Sequence, residues 1–269
     1  LVGAIMEHLE EAGIHSGDST CFIPTQNVPE HILELVRKQT EVIGLGLNIK
    51  GCYNIQFAIQ GDDLYVLEVN PRSSRTVPFV AKSSGLPLAR IAANITIGIP
   101  LSKQDIPIRT SGQICVKAPV FPFIKLRGLD PAPGPEMKST GEVFGSDTSA
   151  DIAYLKARLA TEVPVARSGG AYLTVRDQDK KKLLNSALKL VELGFNLFAT
   201  PGTADYLREN DIPVEVAYRI RESKHPDALD LMRQGKISFI VNVPTVSGGA
   251  VRDGNMMRRL AVELNIPFV

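Results

Sequence analysis

Apolar and polar residues follow two different patterns along this chain, and the change between them divides it. Up to about residue 168, short β-rich runs and amphipathic helical stripes follow one another irregularly. The stripe between Ile32 and Ile43, for example, predicts a helix over about 29–45. From Gly169 onward, apolar strands alternate regularly with helical stripes. This alternation predicts a doubly wound α/β domain with a parallel sheet.

The individual elements follow from the same patterns. In the first part, helices are predicted over 77–84, 88–97 and 150–161, and a strand over 114–117. In the second part, strands are predicted over 171–175, 195–199, 214–217 and 237–243, and helices over 180–193, 204–210, 227–234 and 255–264. Several prolines between Pro119 and Pro135 break any long element. We therefore divide the chain into 1–105, an irregular connecting segment over 106–166 that packs on the first piece, and 167–269.

A predicted hairpin carries much of the candidate chemistry. The run Gly51–Ile59 is followed by the turn Gly61-Asp62-Asp63 and returns as Leu64–Arg72. Side chains of a strand alternate between faces. If the turn is a three-residue loop, Gln56 lies directly opposite Glu68. A loop of even length sets Glu68 opposite an apolar position, so the register decides whether a site exists.

The hairpin face offers one carboxylate and two amides, because Asn70 shares it with Gln56 and Glu68. All three supply oxygen ligands, which hard divalent cations prefer, and Mg²⁺ is usually held by few protein groups together with substrate phosphates. Arg72 and Arg75 follow at once, and two guanidinium groups suit an anion held against a metal. The alternative is a solvated edge hairpin in which Glu68 pairs with Arg72.

A family resemblance rests on this stretch. The run Glu68-Val69-Asn70-Pro71-Arg72-Ser73-Ser74-Arg75-Thr76 resembles the metal and substrate segment of the carbamoyl phosphate synthetase large chain, an ATP-grasp enzyme. The shorter acidic-x-Asn-Pro-Arg core is shared with other ATP-grasp ligases. Three further stretches agree in order with that family: Glu7–Ser19, Gly134–Val143 and Ala199–Thr203. The resemblance covers essentially the whole chain and corresponds to the C-terminal part of the large chain.

The resemblance implies a fold and an activity. Residues 1–105 are expected to form the C-terminal part of an α+β ATP-grasp domain, and residues 167–269 a methylglyoxal-synthase-like regulatory domain cut at its end. It implies phosphorylation of carbamate by ATP with Mg²⁺ or Mn²⁺, for pyrimidine and arginine synthesis. The implied metal ligands are Gln56, Glu68 and Asn70, the first two also bind the nucleotide, and Arg72 and Arg75 hold carbamate.

Two further sets of residues take roles from the same resemblance. The first lines the nucleotide site near the ribose and comprises Gly13, Ile14, His15 and Ser16; a plain surface loop is the alternative. The second forms an effector pocket for UMP or IMP and comprises Thr174, Lys180, Thr200, Thr203, Arg219 and Asn242. The segment Thr200–Thr203 lies at the carboxyl end of a predicted strand and at a helix N-terminus, which attracts phosphate. A capping threonine with two solvated bases is the alternative there.

Departures from the family pattern bear on regulation. Arg219 stands where the family often has Lys, and Val243-Pro244 follow Asn242 where it often has two threonines, which weakens the case for UMP. Members activated by ornithine carry Glu at the position of Ala118. Three other ornithine ligands are matched, by His8, Glu10 and Asp18. We therefore do not expect activation by ornithine.

Composition and charge narrow the remaining choices. The net charge of +1 gives no electrostatic reason for nucleic acid or anionic membrane as a partner, and no apolar run approaches the roughly 20 residues that span a bilayer. Three scattered cysteines, Cys21, Cys52 and Cys115, lack metal-site spacing and indicate a reduced, cytoplasmic protein without a signal peptide.

The implied partners are a small glutaminase chain and further copies in an oligomer. The chain starts within an apolar run and stops at what resembles the start of a strand, so we expect it to be a piece of a longer polypeptide. The Gly-rich phosphate loop of the family is absent from it, and we expect the piece alone to be inactive. The alternative function is a non-catalytic, nucleotide-binding regulatory module. A methylglyoxal synthase is disfavoured because Thr200–Gly202 contain no Asp.

Overall fold

The computed structural model describes residues 1–107, 112–123, 125, 130–243 and 249–269. These residues form two compact units. The first comprises Leu1–Phe121 and Pro133–Thr161, and the second comprises Pro122–Ala132 and Glu162–Val269. Pro244, part of the departure from the family pattern after Asn242, lies outside the described residues.

The first unit is built around an antiparallel sheet that carries helices on both faces. Its strands are β1 (Glu7–His8), β2 (Cys21–Ile23), β3 (Asn54–Gln60), β4 (Asp63–Asn70), β5 (Ile114–Val120) and β6 (Gly141–Asp147), and its helices are α1 (Glu30–Gly46), α2 (Thr76–Ser84), α3 (Leu88–Thr96) and α4 (Ala150–Ala160). The four-stranded sheet has the order β1-β2-β5-β6, and β3 and β4 form a separate hairpin.

Successive side chains of β5 point to opposite faces of the sheet, and each face is covered by a helix. Val116 packs with Ala153 and Ala157 of α4, whereas Cys115 packs with Phe79 and Val80 of α2. Gly145 of β6 lies so close to α4 that an added Cβ would sit 2.3 Å from the Ala153 carbonyl oxygen. Glycine is therefore required there for the helix to reach the sheet.

Residues 106–166 are more regular than we predicted. Two strands and a helix occupy much of this range, and β5 and β6 are the long strands of the first unit's sheet. The many prolines led to the expectation of an irregular segment. Pro119 nevertheless lies within β5, where Glu142 of β6 is its partner. A strand tolerates proline where no ladder hydrogen bond is needed from its nitrogen.

The second unit is the predicted doubly wound domain. Its strands are β7 (Gly169–Val175), β8 (Phe195–Ala199), β9 (Glu215–Val216) and β10 (Ile237–Val243), and its helices are α5 (Lys180–Glu192), α6 (Pro201–Arg208), α7 (Ala228–Arg233) and α8 (Gly249–Glu263). The four strands are parallel in the order β10-β7-β8-β9. Phe268, near the last residue, makes a parallel bridge to Ile240, as the apolar C-terminal run predicts.

The helices of the second unit cover both faces of its sheet. Leu173 lies in the cluster that contains α5 and α6, whereas its neighbour Tyr172 lies with α7 and α8. The chain runs outward from β7 through β8 and β9 and then returns to β10 on the other side of β7. This reversal of strand order is where such folds bind ligands.

No helix in the described ranges is both long and apolar enough to cross a membrane.

Candidate functional site

The hairpin places Gln56 opposite Glu68, as predicted, but by a different route. The predicted three-residue loop is wrong, because Gln60 pairs with Asp63 and the turn contains only Gly61 and Asp62. Gly61 has φ +62°, which glycine adopts without strain and which suits the first position of a tight hairpin turn.

An irregularity in the ladder restores the predicted register. Phe57 pairs with Val66, the next pair is Gln56 with Glu68, and Leu67 is therefore the extra residue of a β-bulge. Beyond it, Asn54 faces Asn70. The tight turn alone would have set Glu68 against an apolar residue, so the bulge creates the polar face.

Side-chain contacts link the residues of this polar face. The Asn70 amide nitrogen donates to a Glu68 carboxylate oxygen at 2.9 Å, and Arg72 donates to the Asn70 amide oxygen at 3.4 Å. Glu68 itself is exposed. The predicted alternative, Glu68 paired directly with Arg72, is not among the ion pairs of the described residues, because Asn70 lies between them. The donor set consists of oxygens and fits Mg²⁺ or Mn²⁺, provided that the Asn70 amide turns its oxygen inward.

Arg75 is held by a different part of the first unit. Its guanidinium lies 3.5 Å from both the carbonyl and the hydroxyl oxygen of Ser139. Ser139 is buried and donates from its hydroxyl to the Gly17 carbonyl at 2.9 Å. The structure thus links three stretches that the sequence analysis singled out separately.

Asp18 fixes this junction. Its side chain is 1% exposed, and its two carboxylate oxygens accept the backbone N–H groups of Lys138 and Ser139 at 2.8 and 2.9 Å. A carboxylate engaged in this way is a structural tie between two loops. Of the other residues matched to ornithine ligands, His8 and Glu10 are half-buried, and Ala118, at the position of the missing Glu, is fully buried.

Two hydrogen bonds hold His15 within the loop Gly13–Ser16. Its Nδ1 accepts the Gly17 N–H at 3.0 Å, and its backbone N–H donates to Gly134 at 2.9 Å. An imidazole that accepts through Nδ1 carries its proton on Nε2 when neutral. His15 can therefore donate a hydrogen bond from Nε2 to a hydroxyl such as that of a ribose.

A cavity of about 1040 Å³ lies within the first unit. Three predicted site residues line it: Ser16, Gln56 and Arg72. The volume exceeds that of typical small-molecule pockets, which reach about 1,000 Å³. The cavity is therefore large enough for a nucleotide. Ser16 of the loop and Gln56 of the hairpin line it, whereas His15, Glu68 and Asn70 are not among its lining residues.

Buried charges lie beneath this loop. Lys117 of β5 is 1% exposed, and its ammonium donates to the Ser16 carbonyl at 3.1 Å and lies 3.7 Å from the Glu142 carboxylate. Burial, with a smaller contribution from the Lys117 charge, lowers the pKa of His8 to about 4. Burial also raises the pKa of Glu10 and of Glu142, although Lys117 opposes both shifts.

The second unit holds its own pocket at the carboxyl ends of β7 and β10. Four of the six predicted effector residues line this pocket of about 160 Å³: Thr174, Thr200, Arg219 and Asn242. Arg176 and Arg221 line it as well, so three guanidinium groups and the carboxylates of Asp177 and Asp253 surround it. Arg221 lies 3.9 Å from Asp253, and Arg219 lies 3.7 Å from Glu222, so both ion pairs are longer than a hydrogen bond.

The other two predicted effector residues lie outside the lining of this pocket. The Lys180 ammonium binds the Asp177 carboxylate at 2.7 Å and the Gly202 carbonyl at 2.6 Å. Thr203 is 1% exposed, accepts the Thr200 hydroxyl at 3.1 Å and donates to the Val175 carbonyl at 3.3 Å. In this arrangement both residues are satisfied by the protein itself.

Three residues of these sites escaped the sequence analysis. Asn54 shares the polar hairpin face, and its period-two spacing from Gln56 could have revealed it. Lys117 stands alone in an apolar strand, which is a signal for a buried, partnered charge. Asp177 precedes Lys180 by three residues, a spacing that favours a local ion pair.

Comparisons with known proteins find a matching family for each of the two units. The family model described as "Carbamoyl-phosphate synthase L chain, ATP binding domain" matches residues 3–104, and the model "MGS-like domain" matches residues 182–269. A protein of Methanocaldococcus jannaschii named carbamoyl phosphate synthase large chain, C-terminal section, is 46% identical over all of this chain. Proteins of Methanosarcina barkeri and Pasteurella multocida named carbamoyl phosphate synthase large chain are each 44% identical, over 100% and 99% of the chain. The chain spans 45%, 67% and 25% of the lengths of these three relatives.

Proposed function

This chain belongs to the carbamoyl phosphate synthase large-chain family, and we propose that it forms part of the site at which such an enzyme phosphorylates carbamate with ATP. The product, carbamoyl phosphate, serves pyrimidine and arginine synthesis. One observation carries the proposal: a bulge in the hairpin brings Gln56 opposite Glu68, beside Asn70 and Arg72. Oxygen ligands and a guanidinium group are then adjacent, as phosphoryl transfer to an anion requires.

The reaction needs positioning more than covalent chemistry. A carbamate oxygen attacks the γ-phosphorus of ATP, an oxygen–phosphorus bond forms, and the bond to the β-bridging oxygen breaks as ADP leaves with the electron pair. Gln56, Glu68 and Asn70 would hold Mg²⁺ or Mn²⁺, and the bound ion would neutralise charge on the phosphates. Arg72 and Arg75 bind the carbamate, and the His15 loop orients the ribose.

The remaining parts of the proposal concern partners. Carbamate formation needs ammonia, and we assign its supply to a small glutaminase chain, in a glutamine-hydrolysing enzyme that is an oligomer. The piece described by this sequence is proposed to be inactive without the remainder of its large chain. The pocket of the second unit is proposed to bind UMP or IMP as an effector, with Arg219, Thr200 and Asn242 contacting the ligand.

A second candidate function is favoured by the same pocket. Its rim of arginines at the strand-order reversal suits a nucleotide monophosphate independently of the hairpin. The chain would then be a non-catalytic nucleotide-binding module. Isothermal titration of this chain with UMP and IMP tests the pocket. Binding by a chain whose parent enzyme forms no carbamoyl phosphate would favour this second function.

The reverse reaction tests the catalytic proposal. An enzyme containing this chain is expected to form ATP from MgADP and carbamoyl phosphate. Arg75→Ala is expected to raise the KM for carbamoyl phosphate about 10–100-fold, because hydrogen bonds to charged groups contribute about 1.5–3 kcal/mol. Arg90→Ala is the matched control, since Arg90 lies exposed on α3 and is not among the residues that line the large cavity. Absence of ATP formation by the unmodified enzyme, or an unchanged KM in Arg75→Ala, contradicts the proposal.

A further inference from the structure

Lys117 is a deeply buried charge near the candidate nucleotide loop. Its side chain is 1% exposed, in the middle of the four-stranded sheet. Removing an ammonium group from water is costly unless close partners compensate. An apolar side chain of similar length would avoid that cost, so the position of the ammonium has to be explained by what it contacts.

The closest charged partner does not explain it. Glu142 lies 3.7 Å away, beyond hydrogen-bond distance, and one of its buried oxygens has no hydrogen-bond partner among the described residues. The ammonium instead donates to the Ser16 carbonyl at 3.1 Å. The short contact to Ser16 is therefore the one that fixes its direction.

Ser16 begins the turn Ser16–Asp18, and three successive carbonyls at this turn receive side-chain donors. The Ser19 hydroxyl donates to His15 at 3.3 Å, the Lys117 ammonium to Ser16, and the Ser139 hydroxyl to Gly17. Lys117 is the charged donor of the three, and charge-assisted hydrogen bonds are about twice as strong as neutral ones. It anchors the loop from beneath, while Ser16 lines the large cavity above.

We propose that Lys117 is a positioning residue for nucleotide binding: its ammonium holds the Ser16 carbonyl so that the His15–Ser16 segment faces the nucleotide. The inference rests on the proposed function, because it assigns a support to the loop that contacts the ribose. Lys117 itself does not touch the ligand. It acts through the Ser16 carbonyl and the adjoining His15 ring, whose orientation the Gly17 N–H also fixes.

The test uses the enzyme that contains this chain together with the rest of its large chain. We measure ATP formation from carbamoyl phosphate and MgADP, and compare Lys117→Met with the unmodified enzyme. The expected result is an approximately tenfold rise in the KM for MgADP, equivalent to about 1.4 kcal/mol, with the KM for carbamoyl phosphate changed less than about threefold. Lys117→Arg, which keeps a charged donor, is expected to recover part of the loss.

Controls separate positioning from simple destabilisation. A purely structural defect lowers the amount of active enzyme, and hence kcat, without moving the KM for MgADP. Lys156→Met is the matched control, because Lys156 is an exposed lysine that binds the Ser146 carbonyl and Asp147. Should Lys117→Met fail to fold, the double variant K117M/E142Q removes both buried charges and is expected to show the same rise in KM.

The outcomes distinguish the two proposals. If the unmodified enzyme forms no ATP from carbamoyl phosphate, the proposed function is wrong. If it does, and the KM for MgADP in the folded Lys117 variant equals that of the unmodified enzyme, the inference about Lys117 is overturned while the proposed function stands.

Discussion

Replacing Asp18 by Asn tests whether this carboxylate ties two loops together. Both of its oxygens accept backbone N–H groups, from Lys138 and Ser139, in a site that is 1% exposed. Asn offers one oxygen, which can still accept one of these N–H groups, whereas its NH₂ group would face the other N–H and leave that backbone donor without an acceptor. An unsatisfied buried donor costs about 1–3 kcal/mol, and the lost hydrogen bonds to a charged group add a similar amount.

The expected destabilisation is therefore about 2–5 kcal/mol, or a fall in Tm of about 5–15 °C for a unit of this size. Thermal unfolding followed by circular dichroism measures it. Asp147→Asn is the control: Asp147 is on the edge of the same sheet and pairs with the exposed Lys156 at 2.7 Å. We expect its Tm to change by less than about 2 °C, because surface ion pairs contribute little.

A variant Asp18→Asn whose Tm lies within 2 °C of the unmodified chain would refute the argument, by the same scale of about 2–4 °C per kcal/mol. It would mean that the carboxylate is available for a ligand, as the resemblance to ornithine-activated relatives implies. We expect Asp18→Asn to have a lower Tm, and we expect ornithine to leave the Tm of both the unmodified chain and the variant unchanged.

Two further predictions concern the pocket and the pH dependence of stability. Arg219→Ala is expected to weaken the binding of UMP or IMP about 10–100-fold, as measured by isothermal titration. Lys180→Ala should have a smaller effect, because Asp177 and Gly202 already bind the Lys180 ammonium. Equal losses of affinity in the two variants would place Lys180 in the ligand site. The folded pKa of His8 is lowered from 6.5 to about 4, so the unfolded chain takes up a proton first, and stability is lost as the pH falls from about 6.5 to 4. The free energy of unfolding is expected to fall by about 3 kcal/mol over this pH range. His8→Gln should abolish this part of the pH dependence, as measured by urea unfolding at a series of pH values. An unchanged dependence of the unfolding free energy on pH would assign the loss to other groups.

Regular patterns predicted the second unit closely. Strands at Phe195–Ala199 and Ile237–Val243 have the predicted bounds, because apolar runs between turn residues leave little choice of length. The short strand Glu215–Val216 was predicted two residues too long, since edge strands depend on their single neighbour. The parallel direction of the strands follows from alternation alone.

The hairpin illustrates what a sequence cannot decide. A three-residue loop and a two-residue loop followed by a bulge at Leu67 give the same partner for Glu68, and nothing in the residue types distinguishes them. The predicted pairing was therefore confirmed although its reason was wrong. Bulges arise from packing on neighbouring elements, which local patterns do not encode.

The effector residues show a second limit. Residue type and position placed Lys180 and Thr203 in the predicted phosphate site, but local geometry satisfies Lys180 with Asp177 and Thr203 with Val175. The spacing of Asp177 and Lys180 favours such a pair, but only side-chain directions show that it forms in place of a ligand contact. Arg176 follows β7, whereas Arg219 and Arg221 follow β9, so these pocket arginines are brought together by the sheet.

The most direct test of the account is the effect of Glu68→Gln on the two ATP-dependent reactions of the complete enzyme. Removing one element that stabilises charge in the transition state costs about 100–1,000-fold in rate. Carbamate phosphorylation is expected to fall by that factor, whereas bicarbonate-dependent ATP hydrolysis at the other ATP-binding half should persist, and Asp63→Asn at the start of the same strand should leave both unchanged. Retention of carbamate phosphorylation in Glu68→Gln, or equal loss of both reactions, would contradict the assignment of this hairpin to the carbamate site.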